Sequence, residues 1–194
     1  MIKEIVFATN NRHKLEEVQH LLEGEYHVQG LSELGFSDDI PEPYHTLEEN
    51  AAAKAEYIYN RFNIPCFADD TGLEVEALNG EPGVLSARYA GEDKDPAANM
   101  EKLLIRLNNI ENRKARFRTV IAYVSAEDHK LFEGIVEGTI LKEKRGNMGF
   151  GYDPLFLPDG FSLTFAEMHL GEKNKLSHRA RAMSGFIHFL RNSE

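Results

Sequence analysis

The sequence predicts an α/β domain built on a mixed sheet, and three observations predict it. Apolar runs of strand character at 2 to 8 and 66 to 68 each lie next to a stretch whose apolar residues recur at helical spacing. Two β-rich runs, 116 to 124 and 131 to 141, are joined by a polar turn at 126 to 130, the pattern of a long antiparallel hairpin. Helices and strands are therefore mixed without the regular alternation of a doubly wound parallel sheet.

Taken in order, residues 2 to 8 read as a strand. Leu15, Val18 and Leu22 then follow one helix face until Gly24 closes the helix. Between strand and helix lies Thr9-Asn10-Asn11-Arg12-His13-Lys14. Asn11 suits an N-cap, exposed amides at a helix start attract anions, and Lys14 in the first turn can reach the same anion. The turn has no glycine, so it matches neither the dinucleotide fingerprint nor the P-loop, and a plain capped helix fits it as well. Residues 31 to 45 form a polar connection in which Pro41 and Pro43 stiffen the chain around Glu42. Thr46-Leu47-Glu48-Glu49 carries a capping signature, and Leu47, Ala51, Ala55, Ile58 and Phe62 line one face of a helix that ends before Pro65.

Cys66-Phe67-Ala68 is expected as a buried strand that delivers Asp69 and Asp70 to a Thr71-Gly72 turn. Two carboxylates buried side by side require a metal, a shared proton or basic neighbours, while Asp, Thr and Gly are also ordinary turn residues. The Glu42 loop leads into the preceding helix and that helix feeds this strand, which makes a common pocket for Glu42, Asp69 and Asp70 an expectation. A turn-rich loop at 79 to 83 precedes a helix over about 96 to 107 with Met100, Leu103, Leu104 and Leu107 inward. Gly146, Gly149 and Gly151 surround two aromatics ahead of Pro154; Phe150 there can stack on a flat base and Asp153 can accept hydrogen bonds from it. A flexible loop is the plain alternative. The last helix is expected to start at Ser177, with His178 and Arg179 in its first turn and Ala180, Met183, Ile187 and Leu190 on its buried stripe.

The 194 residues suffice for one domain with a core that needs no disulfides. The composition, 42% hydrophobic and 28% charged, is that of a soluble globular protein. A single cysteine, Cys66, offers neither a disulfide framework nor a thiolate metal site. No basic leader opens the chain and no run reaches a membrane span, so a cytoplasmic protein with no membrane partner is expected. The net charge of −10 argues against a nucleic-acid partner. Yet Lys173, Lys175, Arg179, Arg181 and Arg191 fall in a stretch with no acid, which suits a small anionic ligand or a solvated helix face. Hard oxygen ligands without cysteine, and without histidine pairs at ligand spacing, favour Mg²⁺ over zinc.

Six blocks in fixed order give the chain a likeness across nearly its whole length: ATNNRHK at 8 to 14, TLEENAAAKA at 46 to 55, ADDTGLEVEAL at 68 to 78, PGVLSARYAG at 82 to 91, GFGYDP at 149 to 154 and EKNKLSHRARA at 172 to 182. With these the sequence resembles the Ham1-like family of noncanonical purine nucleoside triphosphate pyrophosphatases, the inosine triphosphatases. Asn10 stands where the family usually has glycine; asparagine is among the residues that best tolerate a positive φ, so the turn is expected to survive. The resemblance implies a homodimer of elongated, two-lobed subunits, each a single domain over 1 to 194 with a central cleft and a mixed sheet flanked by helices. It implies Mg²⁺-dependent conversion of ITP, dITP and XTP to monophosphate and pyrophosphate, which keeps these nucleotides out of DNA and RNA. It makes Asp70 the general base and a metal ligand, Glu42 a second ligand and Asp69 a neighbour of the metal. Thr9, Asn10, Asn11, Arg12, His13, Lys14, Thr71 and Lys173 would hold the triphosphate, and Phe150, Gly151, Tyr152 and Asp153, with His178 and Arg179, would enclose the base. Two rivals stand beside this reading: a Maf-like pyrophosphatase of other nucleotides, and a nucleotide sensor without catalysis.

Overall fold

A computed structural model describes residues 3–192, apart from the side chain of Lys3; the part of the first expected strand that falls on Ile2 lies outside that range. In chain order the elements are strand β1 (Lys3–Phe7), helix α1 (Arg12–Leu21), β2 (Tyr26–Gln29), α2 (Leu47–Phe62), β3 (Cys66–Val75), β4 (Pro82–Gly83), α3 (Pro96–Arg106), β5 (Lys114–Val124), β6 (His129–Ile140), β7 (Phe156–Pro158), α4 (Leu170–Lys173) and α5 (His178–Asn192). The strand order in the sheet is β2-β1-β3-β5-β6-β7, with β4 paired to β3 off this path. β1 runs parallel to β2 and β3, whereas β3 with β4 and β6 with β7 are antiparallel, so the sheet is mixed as expected. None of the described helices is long and apolar enough to cross a membrane.

By its internal contacts the chain forms two units, each woven from several segments. The first comprises residues up to Asp70, Thr119–Gly134 and those from Arg179 on; the second comprises Thr71–Arg118 and Ile135–His178. In the first unit, Ile5, Phe7, Val18, Leu22, Phe67, Ile121, Met183 and Phe186 form one apolar cluster, which places α1 and α5 against the side of β3 that carries Phe67. Phe7 and Phe67 are partners in register and their rings stack at 4.5 Å. Successive strand residues point to opposite faces, and on the other face the Cys66 thiol donates to the carbonyl of Ala55 in α2 at 3.2 Å. α2 begins at Thr46, whose side chain accepts from the Glu49 amide, and ends at Asn63 in the left-handed conformation. Its buried stripe is Leu47, Ala51, Ala55 and Ile58.

In the second unit the core is Leu73, Val75, Tyr89, Leu103, Phe117, Ile140, Tyr152, Phe156 and Phe165, with their neighbours. α3 starts on an Asp95 cap followed by Pro96, which suits a first helical turn because proline lacks only an N–H that would be unpaired there. The expected Thr71-Gly72 turn is absent: β3 continues through both residues to Val75. Gly72 serves close approach instead of a bend, because a Cβ there would stand 2.8 Å from the carbonyl oxygen of Gly83 on β4. β2 was also not expected; four residues directly after the Gly24 turn carry too short a pattern to read, although their burial alternates.

Candidate active site

The strand geometry of β3 separates the two aspartates that the sequence places together. Asp69 shares its face with Phe67 and points toward α1 and α5, while Asp70 shares the α2 face with Cys66 and Ala68. One carboxylate oxygen of Asp69 accepts from Lys14 Nζ at 2.7 Å. The other accepts from Arg179 Nε at 3.1 Å and Nη2 at 3.0 Å. Burial by itself would raise the Asp69 pKa, but the Lys14 ammonium and Arg179 guanidinium, aided by Lys54, outweigh it and hold the carboxyl well below the usual carboxylate range.

Asp70 faces a different surrounding. Its Oδ1 lies 3.7 Å from Lys54 Nζ, and the same ammonium donates to Glu42 Oε1. Burial pushes Asp70 up to about 6, with Glu42 and Asp69 adding to the rise and Lys54 and Lys14 opposing it. Although burial would deprotonate Lys54, Asp70, Glu42 and Asp69 hold its charge in place. Glu42 and Asp70 thus share the Lys54 ammonium, while Asp69, on the other face of β3, anchors Lys14 and Arg179. Among the described residues no group of three or more His, Cys, Asp and Glu stands together as a ready-made metal cage. Two oxygen ligands of this hardness fit Mg²⁺, which commonly takes one or two carboxylates and completes its shell with water and phosphate.

The turn before α1 is built from its own side chains. Thr9 Oγ1 accepts from the Asn11 amide at 3.1 Å, and Asn11 caps the helix by accepting from the Lys14 amide at 3.2 Å. Asn10 needs no left-handed backbone: among described non-glycine residues only Asn63, Asn79, Lys94 and Asn109 have positive φ. Its place in the glycine position therefore costs no backbone strain. Asn10, Asn11, Arg12 and His13 are exposed, and Arg12 turns outward to pair with Glu16 at 3.1 Å. Thr71 is half-buried on the strand after Asp70.

Arg179 is only 1% exposed. Besides its fork on Asp69, its Nη1 donates to Glu17 Oε2 on α1. That geometry makes it the rivet between α5, β3 and α1. The basic segment at 173 to 191 is also no single patch. Lys173 and Arg179 are buried, Arg181 faces solvent, and Arg191 pairs with Glu25.

In the second unit, Gly149 adopts φ 72°, and a Cβ there would lie 2.1 Å from a carboxylate oxygen of Asp153. The glycine is therefore a seat for that carboxylate more than a source of flexibility. The same oxygen accepts from the Phe150 amide at 2.8 Å and from Lys173 Nζ at 2.7 Å. Lys173 Nζ also lies 5.0 Å from the Phe150 ring centre and 5.5 Å from that of Phe165. The His178 imidazole stacks on Phe117 at 4.6 Å and tilts against Phe165 at 6.0 Å. Gly151 takes φ 62° and is half-buried. Tyr152 is 5% exposed in the core, with its hydroxyl on the Ser86 carbonyl at 2.8 Å. The first unit thus carries a hard-oxygen pair and an anchored cation cluster, and the second a half-buried aromatic over a lysine.

A family model described as the Ham1 family matches residues 5–189 of the chain. The chain belongs to the Ham1 family. This Ham1 chain is 53% identical over 190 residues to a dITP/XTP pyrophosphatase of Porphyromonas gingivalis, covering 97% of this chain and 98% of that one. It is 48% identical over 187 residues to a dITP/XTP pyrophosphatase of Bacillus subtilis, with 94% of each covered. Its fold matches the structure of the Staphylococcus aureus Ham1 protein with a TM-score of 0.88 at 44% identity, over 99% of this chain and all of that one. A HAM1 protein from Coxiella burnetii matches with a TM-score of 0.88 at 38% identity, over 98% of this chain and all of that one.

Two buried charges beside these carboxylates and cations, Lys54 and Glu17, were not among the candidates read from the sequence. Lys54 lies seven residues after Leu47 and four before Ile58, on the buried stripe of α2, where a lysine signals a partner of opposite charge. Glu17 stands three residues after Lys14 on the same side of α1. Both signals were present as charges at helical spacing, and neither named its partner.

Proposed function

We propose that this protein is a nucleoside triphosphate pyrophosphohydrolase that converts noncanonical purine nucleotides of the dITP and XTP class to monophosphate and pyrophosphate. The observation that carries the reading is the near-complete match to relatives named dITP/XTP pyrophosphatases at about half identity. Neither rival, a Maf-like enzyme nor a sensor, draws support from those relatives.

In this reading Asp70 takes the proton of the attacking water while that water's oxygen bonds to the α-phosphorus and the bond to pyrophosphate breaks. In the metal-free chain burial raises the Asp70 carboxyl to about 6, so at neutral pH it is ionised and able to accept a proton. Glu42 and Asp70 would hold Mg²⁺, which supplies neutralisation of the charge on the phosphates and of the charge that develops on the leaving group. Lys54 keeps the two carboxylates together before a nucleotide arrives. The capped start of α1, with Thr9 to Lys14, offers amides and a cation to the phosphates. Thr71 adds a hydroxyl beside Asp70. Lys173 adds a cation for the triphosphate, Phe150 stacks on the base with Asp153 beside it, and His178, held flat on Phe117, meets the purine 6-oxygen. A 6-amino group would leave that donor unpaired, which disfavours adenine nucleotides. We assign the two units to a single catalytic domain, active as a cytoplasmic homodimer; both expectations rest on the family resemblance and are checked by light scattering and cell fractionation.

The test is purified protein with Mg²⁺ against dITP, XTP, ITP, ATP, GTP and CTP, with pyrophosphate resolved from orthophosphate. Pyrophosphate from the inosine and xanthosine nucleotides is the expected product. Orthophosphate as first product moves the attack to the γ-phosphorus and overturns the mechanism.

A further inference from the structure

The block at 82 to 91 is part of the family pattern, yet no step above uses it. Its centre, Ser86, is 7% exposed and opens a 3-10 turn over Ser86–Arg88. The Ser86 hydroxyl accepts from the Leu73 amide at 2.9 Å and donates to the Gly83 carbonyl at 2.6 Å. Leu73 and Gly83 are register partners of β3 and β4, so the side chain is inserted into the ladder where β4 is only two residues long. The Ser86 carbonyl in turn accepts from the Tyr152 hydroxyl at 2.8 Å. Burial pushes that hydroxyl well above the usual tyrosine range, so it stays protonated and donates at every working pH. From the other side Asn99 braces the same turn, its Oδ1 accepting from the Ala90 amide at 2.6 Å and its Nδ2 donating to the Ala87 carbonyl at 2.8 Å.

These bonds make one path within the second unit. It runs from Leu73, three residues beyond Asp70 on β3, through Ser86 to Tyr152, and then to Asp153, whose carboxylate seats the Phe150 amide and Lys173. Within the loop at 149 to 153 Gly149 seats the Asp153 carboxylate, and the Tyr152 hydroxyl ties that loop to the Ser86 turn. We propose that Ser86 is a positioning residue for base recognition, acting through the Tyr152 hydroxyl to set where the 149 to 153 loop presents Phe150 and Asp153. This deepens the proposed function and rests on the base-enclosing role given there to Phe150 and Asp153. It also assigns work to Tyr152 that differs from direct contact with the base.

The decisive variant is Tyr152→Phe, which removes one hydroxyl and leaves the ring in the core. Losing a hydrogen bond of this kind raises the KM for dITP by about fivefold, with the change falling on KM more than kcat, and lowers the dITP over dGTP ratio of kcat/KM by a similar factor. The Phe150 amide exchanges its hydrogen faster. Ser86→Ala moves the same readouts the same way, and the double variant is no worse than the more affected single one because both cut one path. A purely structural role gives a lower melting temperature with KM, ratio and Phe150 exchange unmoved, and that result overturns the inference; if Ser86→Ala fails to fold, Tyr152→Phe alone decides. An unaltered chain that releases no pyrophosphate from dITP refutes the function and this role together, whereas an active chain whose variants keep the ratio refutes the role alone.

Discussion

Asp69 and Asp70 are neighbours of one chemistry that meet opposite environments because a strand sends them to opposite faces. Asp69 meets two cations and stays ionised. Asp70 is buried with Glu42 nearby and rises from 3.8 to about 6. The folded protein therefore holds the Asp70 proton more tightly than the unfolded chain does. The stability this gives is complete below about pH 4 and is lost as pH rises through about 6. Asp70→Asn, studied in chelator, should accordingly be more stable than the parent by about 1 to 2 kcal/mol at pH 8, with the gain fading at pH 4. Thermal unfolding at the two pH values measures it. The same variant should lose about a hundredfold or more in turnover, as expected for a missing general base, and a near-normal rate would remove Asp70 from that role. Arg179 poses the reverse case. Arg179→Ala leaves Asp69 and Glu17 buried without their shared cation and should cost about 3 to 5 kcal/mol in denaturant unfolding, beyond any effect on nucleotide choice. Asp70, Glu42 and Lys14 were legible as candidate residues from their places around turns and caps; Lys54 and Glu17 were not, because a buried charge on a helix is recognised by its partner and partners are set by packing.

At the scale of elements, the helices α1, α2, α3 and α5 and the β5 and β6 pair were legible, since each carries a long periodic pattern with caps or turn residues at its ends. β3 was read as Cys66 to Ala68, the first three of its ten residues. Thr71 and Gly72 look like a turn in sequence, and only the approach of β4 explains why a glycine sits in a continuing strand. Gly72→Ala places a methyl group against the Gly83 backbone and should destabilise the fold by about 1 to 3 kcal/mol, read as a lower urea midpoint with an unchanged slope. A variant as stable as the parent would show that β4 can move aside. The short strands β2 and β7 gave too few residues for their period to stand out.

For the molecule as a whole, the boundary between the two units falls at Asp70, Thr119, Gly134 and Arg179, so no single cut in the chain separates them. The proposed metal dependence belongs to this scale, because a cation held by Glu42 and Asp70 would favour the folded chain over the unfolded one. Chelation should abolish pyrophosphate release and Mg²⁺ restore it, while saturating Mg²⁺ raises the melting temperature, corresponding to about 2.7 kcal/mol at a hundred times the dissociation constant. A melting temperature and rate indifferent to Mg²⁺ would leave Glu42 and Asp70 without that task. The sequence by itself determined the fold class, the main helices, the family and the residue types of the site, because periodicity, caps and ordered motif blocks are local properties of the chain. Only the tertiary structure decided that Asp69 anchors Lys14 and Arg179 while Asp70 faces Glu42 and Lys54, that Arg179 is a buried rivet, and that Tyr152 reaches Ser86. Those outcomes depend on which face of a strand meets which helix, and on contacts between residues as far apart in the chain as Glu17 and Arg179, which no local pattern encodes.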